Sequence, residues 1–584
     1  MNKVIRGIPA SPGITIGKSF ILLKTVFIPS EKKGTIEQEL ATFYKALSDT
    51  KSELTNIIKN IEKKNKEGKK LIDMQLLILQ DPFFIEGVEE NIRKGESASK
   101  SIFLFLNNLK ENFSNIKDTY LKDRFLDIQD VGNRILGKMQ GEKKILHFQE
   151  PHILFAHDLT PSDTAQLDKE RCLGFVTELG GKTSHTAIMA RALGIPAVVG
   201  ARGILDLTNN GVEAIIDGFR GVVILEPDED TKRSYDKRIS EYQEIDKKLV
   251  DITALPATTI DGKTLDLSAN IELPLEIDSA KNNGARGIGL FRTEFIYFSS
   301  DNIPDEETQF KIYDEVAEKM APDPLIIRTL DSGGDKILRW SYLEEENPFL
   351  GWRGIRFCLD REDIFITQLR AILRASTRNN VKIMIPMVSS IQEVRRAKEI
   401  LAKTKESLKK EGKNFDENLE FGVMVEVPST ALMADKIAEI VDFFSIGTND
   451  LTQYTLAVDR TNERISHLFD HLHPSVIKLM KMTIDGGHSR GIWVGVCGEI
   501  ASDILATPIL VGLGVDEISI TPNMVPPIKN IIRGISEKEA RSITEKVLQL
   551  PTVKKIREYL RGELLVRFPY LEALLLEVEN DKSN

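Results

Sequence analysis

Eight short apolar runs recur through the second half of the chain, and this repeat constrains the fold more than any other feature. Each run is followed by a polar loop and usually by a helical pattern, which is the order of β/α units. Eight such units over roughly 315 residues predict a (β/α)8 TIM barrel, with a mixed doubly wound sheet as the alternative. The runs are Thr264–Ala269, Gly287–Phe291, Pro324–Arg328, Val381–Met387, Phe421–Val425, Phe443–Ile446, Ile492–Val496 and Glu517–Ile520.

The first half alternates between two patterns. Short strand-like runs occur in 1–30 and again in 146–227, whereas 31–145 carries charged stretches with apolar residues at helical spacing. The sequence therefore predicts an α/β domain with an inserted helical bundle. Residues 228–257 have apolar positions near i, i+3, i+4 and i+7, which predicts a helical linker to a barrel domain at 258–575.

Composition excludes several classes of protein. The net charge of −10 argues against a general nucleic-acid binder. No apolar run is long enough to span a bilayer, so we expect no membrane insertion. The three cysteines, Cys172, Cys358 and Cys497, lie far apart and form no C-x-x-C pair. This usage is typical of a reducing, cytoplasmic environment without structural disulfides.

One segment of the first half has the chemistry of a phosphoryl carrier. Gly180 and Gly181 precede Lys182-Thr183-Ser184-His185, and a small apolar helix pattern follows. Exposed N–H groups at the start of a helix favour an anion, and the positive helix end keeps a histidine ring neutral and nucleophilic. His185 is therefore a candidate phosphoryl acceptor; the alternative is a buried histidine in a tight turn.

Two acidic residues follow neighbouring strands of the predicted barrel. Glu426 comes after the fifth run, and Asp450 after the sixth. In TIM barrels the chemistry lies at these strand ends. Two carboxylates there could share Mg²⁺, which prefers one or two carboxylates with waters and substrate oxygens. The alternative is a pair of solvated acids at the start of loops.

Basic residues gather at the same predicted face of the barrel. A guanidinium binds phosphate or carboxylate with two parallel hydrogen bonds, which predicts an anionic substrate. Ordinary surface salt bridges are the alternative. The basic residues are Arg292, Arg328, Lys336, Arg353 and Arg460.

Cys497 directly follows the seventh apolar run. A thiol at the mouth of a barrel can act as a proton donor or acceptor. Free cysteine is also a common core residue, and that interpretation stays open from the local pattern alone.

Several motifs together resemble a known family over nearly the full length of the chain. They are Gly7–Gly13, Asp127–Val131, Gly180–Gly200 and the barrel motifs around the strand ends. The chain resembles the phosphoenolpyruvate–protein phosphotransferases, the Enzyme I family of the bacterial sugar phosphotransferase system, among the PEP-utilising enzymes. The resemblance implies transfer of the phosphoryl group of phosphoenolpyruvate (PEP) to His185, with Thr164 nearby, and release of pyruvate.

The resemblance also implies roles for the barrel residues. PEP would be bound by Arg292, Arg328, Asn449, Asp450 and Arg460, and further by Lys336 and Arg353. Glu426 and Asp450 would hold Mg²⁺. Cys497 would donate the proton that converts enolpyruvate to pyruvate.

Partners follow from the same resemblance. The second acceptor would be the phosphocarrier protein HPr, docked on the helical insert, and the linker would allow His185 to swivel between its two partners. The barrel would form a homodimer. The basic stretch Lys63–Lys70 departs from the family, whose docking helices tend to be acidic to meet a basic carrier.

Three other kinds of protein are the alternatives to this function. A PEP synthase or a pyruvate phosphate dikinase carries a large nucleotide-binding region, for which the chain has no room, and no Walker-type loop is present. A nitrogen-regulatory paralogue would carry an extra N-terminal sensory domain. A non-catalytic relic would lack a reactive residue, yet His185, Cys497, both acids and the arginines are all present.

Overall fold

The computed structural model describes most of the chain as two compact units, Met1–Glu241 and Tyr242–Asn584. The described residues are 3–11, 13–22, 34–60, 76, 78–79, 81–114, 119–139, 150–159, 167, 171–181, 186–187, 190, 194–274, 276–298, 303–331, 347–460, 462 and 464–568. Within these residues no helix is both long and apolar enough to cross a membrane.

The first unit contains an eight-stranded mixed sheet in the order β1-β8-β7-β3-β4-β5-β6-β2. Its strands are β1 Lys3–Arg6, β2 Ile8–Ser11, β3 Ile14–Leu22, β4 His152–Ala156, β5 Cys172–Thr177, β6 Ala197–Val199, β7 Glu213–Asp217 and β8 Val222–Leu225. β3, β4, β5 and β6 run parallel, and the other pairings are antiparallel. β3 and β4 pair directly, although residues 23–151 separate them in the chain.

Among the described residues, four helices lie between β3 and β4 in the chain: α1 Ile36–Asn60, α2 Pro82–Arg93, α3 Ala98–Ser114 and α4 Thr119–Met139. Their apolar faces form one core, as the helical spacing of the sequence predicts. Phe84 of α2 meets Phe105 of α3 edge to face, with the ring centroids 5.4 Å apart. Gly87 makes room for this contact, because a Cβ there would lie 2.3 Å from the Phe105 ring.

Two further helices follow β4 in the described part of this region, α5 Ile204–Leu207 and α6 Glu229–Ile252. Tyr235 of α6 packs against the sheet in a small apolar cluster. Arg238 Nη1 donates to the buried carboxylate of Asp217 at 2.8 Å. The boundary between the two units falls within α6.

The second unit is a closed parallel barrel of eight strands. Each strand pairs with its neighbour, and β10 closes the ring by pairing with both β11 and β17. The strands are β10 Thr264–Ile271, β11 Ile288–Phe291, β12 Leu325–Arg328, β13 Val381–Ile385, β14 Phe421–Val425, β15 Phe443–Gly447, β16 Trp493–Cys497 and β17 Glu517–Ile520, with a short β9 at Ala257–Thr258. The predicted TIM barrel is confirmed, and the doubly wound alternative is wrong because the sheet has no open edges.

Helices surround the barrel and bury its outer face in one large apolar core. They are α7 Glu276–Asn282, α8 Glu294–Phe298, α9 Glu306–Met320, α10 Ile355–Asp360, α11 Glu362–Ala375, α12 Ile391–Lys410, α13 Pro428–Leu432, α14 Ala434–Ile437, α15 Thr448–Leu456, α16 Pro474–His488, α17 Glu499–Ser502, α18 Thr507–Leu513, α19 Val525–Arg533, α20 Glu537–Val547 and α21 Val553–Arg567. Because all eight strands are parallel, their carboxyl ends converge on one face.

Candidate active site in the barrel

A polar cavity lies at the carboxyl ends of the barrel strands. The chain reaches this face just after each strand, so residues far apart in sequence meet there. The cavity is lined by Leu290, Arg292, Arg328, Asp331, Arg353, Met424, Glu426, Gly447, Asn449, Asp450, Arg460, Cys497 and Gly498. Every site residue predicted for the barrel is among them except Lys336, which lies outside the described residues, as do Thr164 and His185.

Arg328 is the last residue of β12, and its side chain is almost fully buried. Nη2 donates to Glu294 Oε1 at 2.8 Å, and Nη1 lies 3.1 Å from Asp331 Oδ2. Burial alone would lower the pKa of this guanidinium, but Glu294 and other nearby carboxylates raise it overall. The positive charge is therefore fixed in place before any ligand arrives.

Arg353 is held by three neighbours. Nε and Nη2 donate to the two oxygens of Asp331 at 3.2 and 2.8 Å. Nη2 also donates to Asp450 Oδ2 at 3.2 Å, and Nη1 donates to Tyr454 Oη at 3.2 Å. A bidentate pair restrains both the position and the plane of a guanidinium. Asp331 thus joins Arg328 and Arg353 into one network of buried ion pairs.

Glu426 and Asp450 stand at neighbouring strand ends. Glu426 directly follows β14, and its Oε1 accepts a hydrogen bond from Met387 N at 2.6 Å. Met387 has a φ of 59°, an uncommon backbone conformation that aims this N–H at the carboxylate. Burial, followed by repulsion from Asp450 and Asp331, raises the pKa of Glu426. The empty site therefore favours the protonated carboxyl, whereas a cation bound beside it would favour the carboxylate.

Asp450 lies in the first turn of α15 and is also buried. Among the described residues no donor bonds to its Oδ1, although Arg460 Nη1 is 3.9 Å away. An oxygen buried without a hydrogen bond costs free energy unless a ligand meets it. Gly447 leaves space beside this pair of acids, because a Cβ there would lie 3.0 Å from Glu426 Oε2.

The other predicted binding residues rim the cavity. Arg292 follows β11 and pairs with Glu272, while Asn449 Oδ1 accepts a hydrogen bond from Glu499 N at 2.8 Å. Arg460 Nη1 is buried and has no hydrogen-bond partner in the described part of the chain. These side chains leave donors available to an anion.

Cys497 is the last residue of β16, and it is 1% exposed. Burial raises the pKa of its thiol to about 11. Thr448 Oγ1 donates to the Cys497 carbonyl at 3.0 Å, which fixes the backbone of the strand end. The next residue, Gly498, has a φ of 98°, and a Cβ there would lie 2.4 Å from Thr448 Oγ1. Cys497 is among the residues that line the cavity, and its thiol is protonated at neutral pH.

Three residues at this site were not singled out from the sequence. Asp331 lies three positions after Arg328, so the strand-end rule that identified Arg328 could have found it. Glu294 is the first residue of α8, and only its contact with Arg328 shows its role. Tyr454 lies one helical turn after Asp450, a spacing that places both on one face of α15.

The structure describes Gly180 and Gly181 before His185 and Thr186 and Ala187 after it. Gly180 has a φ of 113°, a conformation that side chains rarely adopt. A Cβ at Gly181 would meet nothing within 4 Å, so packing does not require glycine there. Thr186 and Ala187 are helical and buried, and Thr186 Oγ1 donates to the Leu159 carbonyl at 3.1 Å.

Three family models of PEP-utilising enzymes match the chain: the PEP-binding domain at 246–537, the mobile domain at 148–221 and the N-terminal domain at 6–124. The phosphoenolpyruvate-protein phosphotransferase of Staphylococcus aureus is 43% identical over 566 residues, which cover 96% of this chain and 99% of the relative. That of Bacillus subtilis (strain 168) is 41% identical over 570 residues, which cover 95% and 99%.

A solution structure of an Enzyme I protein (nEIt) matches 41% of this chain and 99% of its own length, at 39% identity and a TM-score of 0.36. The curated relatives, by contrast, match along nearly the whole chain, through both the sheet unit and the barrel. On that sequence identity the chain is an enzyme that belongs to the phosphoenolpyruvate-protein phosphotransferase family.

Proposed function

We propose that the barrel cavity binds PEP, that His185 accepts its phosphoryl group, and that the phosphocarrier protein HPr then receives it while pyruvate is released. One observation carries this proposal: buried arginines, two crowded carboxylates and a protonated thiol line a single cavity at the catalytic face of the barrel. PEP has a phosphate, a carboxylate and a methylene carbon that needs a proton. The cavity offers a matching group for each.

The arginines supply the anion-binding side of the site. Arg328 Nε and Arg460 Nη1 are buried donors without a hydrogen-bond partner among the described residues. Substrate oxygens can therefore accept hydrogen bonds from them. Arg292, Asn449 and Lys336 add further donors at the rim. Because Arg328 is already held by carboxylates, binding costs little reorganisation of the protein.

The residues at Glu426 and Asp450 fit a divalent cation. The two carboxylates are buried side by side, and Asp450 Oδ1 lacks a hydrogen bond. Two carboxylates are enough protein ligands for Mg²⁺, because this ion keeps several waters and binds substrate phosphate. Bound there, Mg²⁺ would neutralise charge on the transferring phosphoryl group and the departing enolate.

Replacing Glu426 with glutamine should weaken cation binding by about 10- to 100-fold, because one of two charged ligands is lost. Mn²⁺ titration followed by water-proton relaxation measures this affinity without any turnover. Glu420→Gln is the matched control, since Glu420 bonds Lys382 and Trp493 before the same strand begins. Equal Mn²⁺ affinity in wild type and Glu426→Gln would refute the assignment.

The thiol of Cys497 completes the reaction on the substrate side. A pKa raised to about 11 keeps it protonated at neutral pH, so it holds a proton ready for the methylene carbon of enolpyruvate. On the acceptor side, His185 attacks phosphorus in line, with Thr164 beside the product. We propose the helices α1–α4 as the HPr-binding surface and the barrel as the homodimer interface.

Incubation with ³²P-labelled PEP and Mg²⁺ tests the function directly. We expect acid-labile, alkali-stable label on the protein and one pyruvate released for each phosphoryl group retained. Addition of HPr should then discharge the label. A protein that stays unlabelled, or that releases pyruvate and free phosphate without a labelled intermediate, would contradict the proposed reaction.

A further inference from the structure

The sulfur of Cys497 has two hydrogen-bond partners among the described residues, and both belong to the neighbouring strand β15. Ser445 Oγ donates to Cys497 Sγ at 3.5 Å. The thiol in turn donates to the Ile446 carbonyl at 3.5 Å. Ser445 and Cys497 are 0% and 1% exposed, so water does not compete for these bonds. Sulfur is a weak donor and acceptor, and such a paired arrangement fixes the direction of its proton.

The register of the barrel builds this contact into the fold. Ser445 pairs with Gly495, and Gly447 pairs with Cys497, so Ser445 lies one layer below the thiol. Gly495 presents no side chain beside Ser445. A Cβ at Gly495 would lie 2.6 Å from Glu517 Oε2, so a larger residue there would have to displace the Glu517 carboxylate. The neighbouring strand β16 therefore has no side chain at this position that would compete with Sγ for the Ser445 hydroxyl.

The charges around the thiol act in opposite directions. Glu426, at the end of β14, disfavours a thiolate, whereas Arg328 and Arg292 favour it from β12 and β11. Burial disfavours a thiolate most strongly of all, and the Ser445 hydrogen bond is the largest opposing influence. A hydroxyl donates more strongly to a negative sulfur than to a neutral one, so this bond strengthens when the proton leaves.

We propose that Ser445 is a positioning residue for the proton transfer: it holds the thiol of Cys497 in place and stabilises the thiolate left behind. This inference rests on the proposed role of Cys497. In the step, the S–H bond breaks and a C–H bond forms at the methylene carbon of enolpyruvate. The enolate electrons move to make the keto group, and the S–H pair stays on sulfur, where the Ser445 O–H meets it.

The proposal predicts that loss of the Ser445 hydroxyl affects the rates of two steps differently. Rapid-quench kinetics can measure the two rates separately. In Ser445→Ala, phosphoryl transfer to the enzyme should stay at the wild-type rate. Conversion of enzyme-bound enolpyruvate to pyruvate should slow by about 10- to 100-fold, the usual effect of losing a hydrogen bond to a charged group. The solvent deuterium isotope effect on pyruvate formation should rise in parallel, because proton transfer becomes limiting. Ser445→Thr keeps the hydroxyl and should recover the rate.

Two controls keep the outcome unambiguous. Ser519→Ala removes another fully buried barrel hydroxyl, which donates to Asn270 rather than to sulfur. This variant should keep the wild-type rates of both phosphoryl transfer and pyruvate formation. Equal slowing of both steps in Ser445→Ala, or no slowing of either, would overturn the role of Ser445. If Cys497→Ala itself leaves pyruvate formation unaffected, the proposed role of Cys497 fails instead. The two failures are therefore distinguishable.

Discussion

Replacing His185 with alanine should abolish phosphorylation of the enzyme by PEP and, with it, all transfer to HPr. The reason is chemical, because covalent transfer needs a nucleophile and alanine offers none. The barrel cavity is untouched by this change, so PEP and the divalent cation should still bind with wild-type affinity. Labelling with ³²P-PEP and equilibrium binding of PEP, measured on the same preparation, would show loss of the first and retention of the second.

A second histidine of the same unit serves as the matched control. His152 begins β4 and contacts the Glu150 carbonyl through Nδ1 at 2.6 Å. His152→Ala removes an imidazole from the same sheet and should keep its label. Label that persists in His185→Ala would mean that another residue accepts the phosphoryl group, while the enzyme class would stand.

Replacing Cys497 with alanine should slow pyruvate formation by about 10²- to 10⁴-fold, the range for loss of a positioned general acid. Phosphoryl transfer precedes protonation, so a single turnover should still label the enzyme while enolpyruvate accumulates. Between pH 6 and 9 the wild-type rate should not fall through loss of this proton, since burial raises the pKa of the thiol to about 11. Rapid-quench analysis of label and pyruvate in parallel measures both steps.

Cys358→Ala is the control for this experiment. Cys358 is a buried cysteine of the same unit whose Sγ donates to the Leu330 carbonyl at 3.7 Å, and burial raises its pKa as well. It does not line the cavity, so its replacement should leave the kinetics unchanged. Wild-type pyruvate formation in Cys497→Ala would exclude the thiol as the proton donor.

The barrel was predictable from the sequence because its strands are buried on both faces. Such strands give continuous apolar runs, and each predicted end lies within two residues of the observed one. The strand-end rule then brought together Arg328, Glu426 and Cys497 without any coordinates. The site residues of the barrel were predictable to the extent that chemistry follows directly after a strand.

The pairing of those residues was not predictable. Arg353 comes from a long connection after β12. Its ion pair with Asp331 joins two residues 22 positions apart in that connection, and its ion pair with Asp450 joins it to the helix after β15. The Glu294–Arg328 contact likewise joins the end of one strand to the helix after another. No local spacing encodes such contacts. The roles of His185, Thr164 and Lys336 stay predictions.

The crowding of carboxylates at the cavity has a consequence for the folding equilibrium of the barrel. A carboxyl group whose pKa is raised in the folded state, as that of Glu426 is, makes folding less favourable once it ionises. The buried Glu426 therefore lowers the free energy of unfolding of the empty barrel at neutral pH. A cation that binds the folded state but not the unfolded state offsets the repulsion between the carboxylates. Its binding shifts the equilibrium toward the folded barrel by mass action. A divalent cation at the proposed site would therefore raise the free energy of unfolding of the barrel.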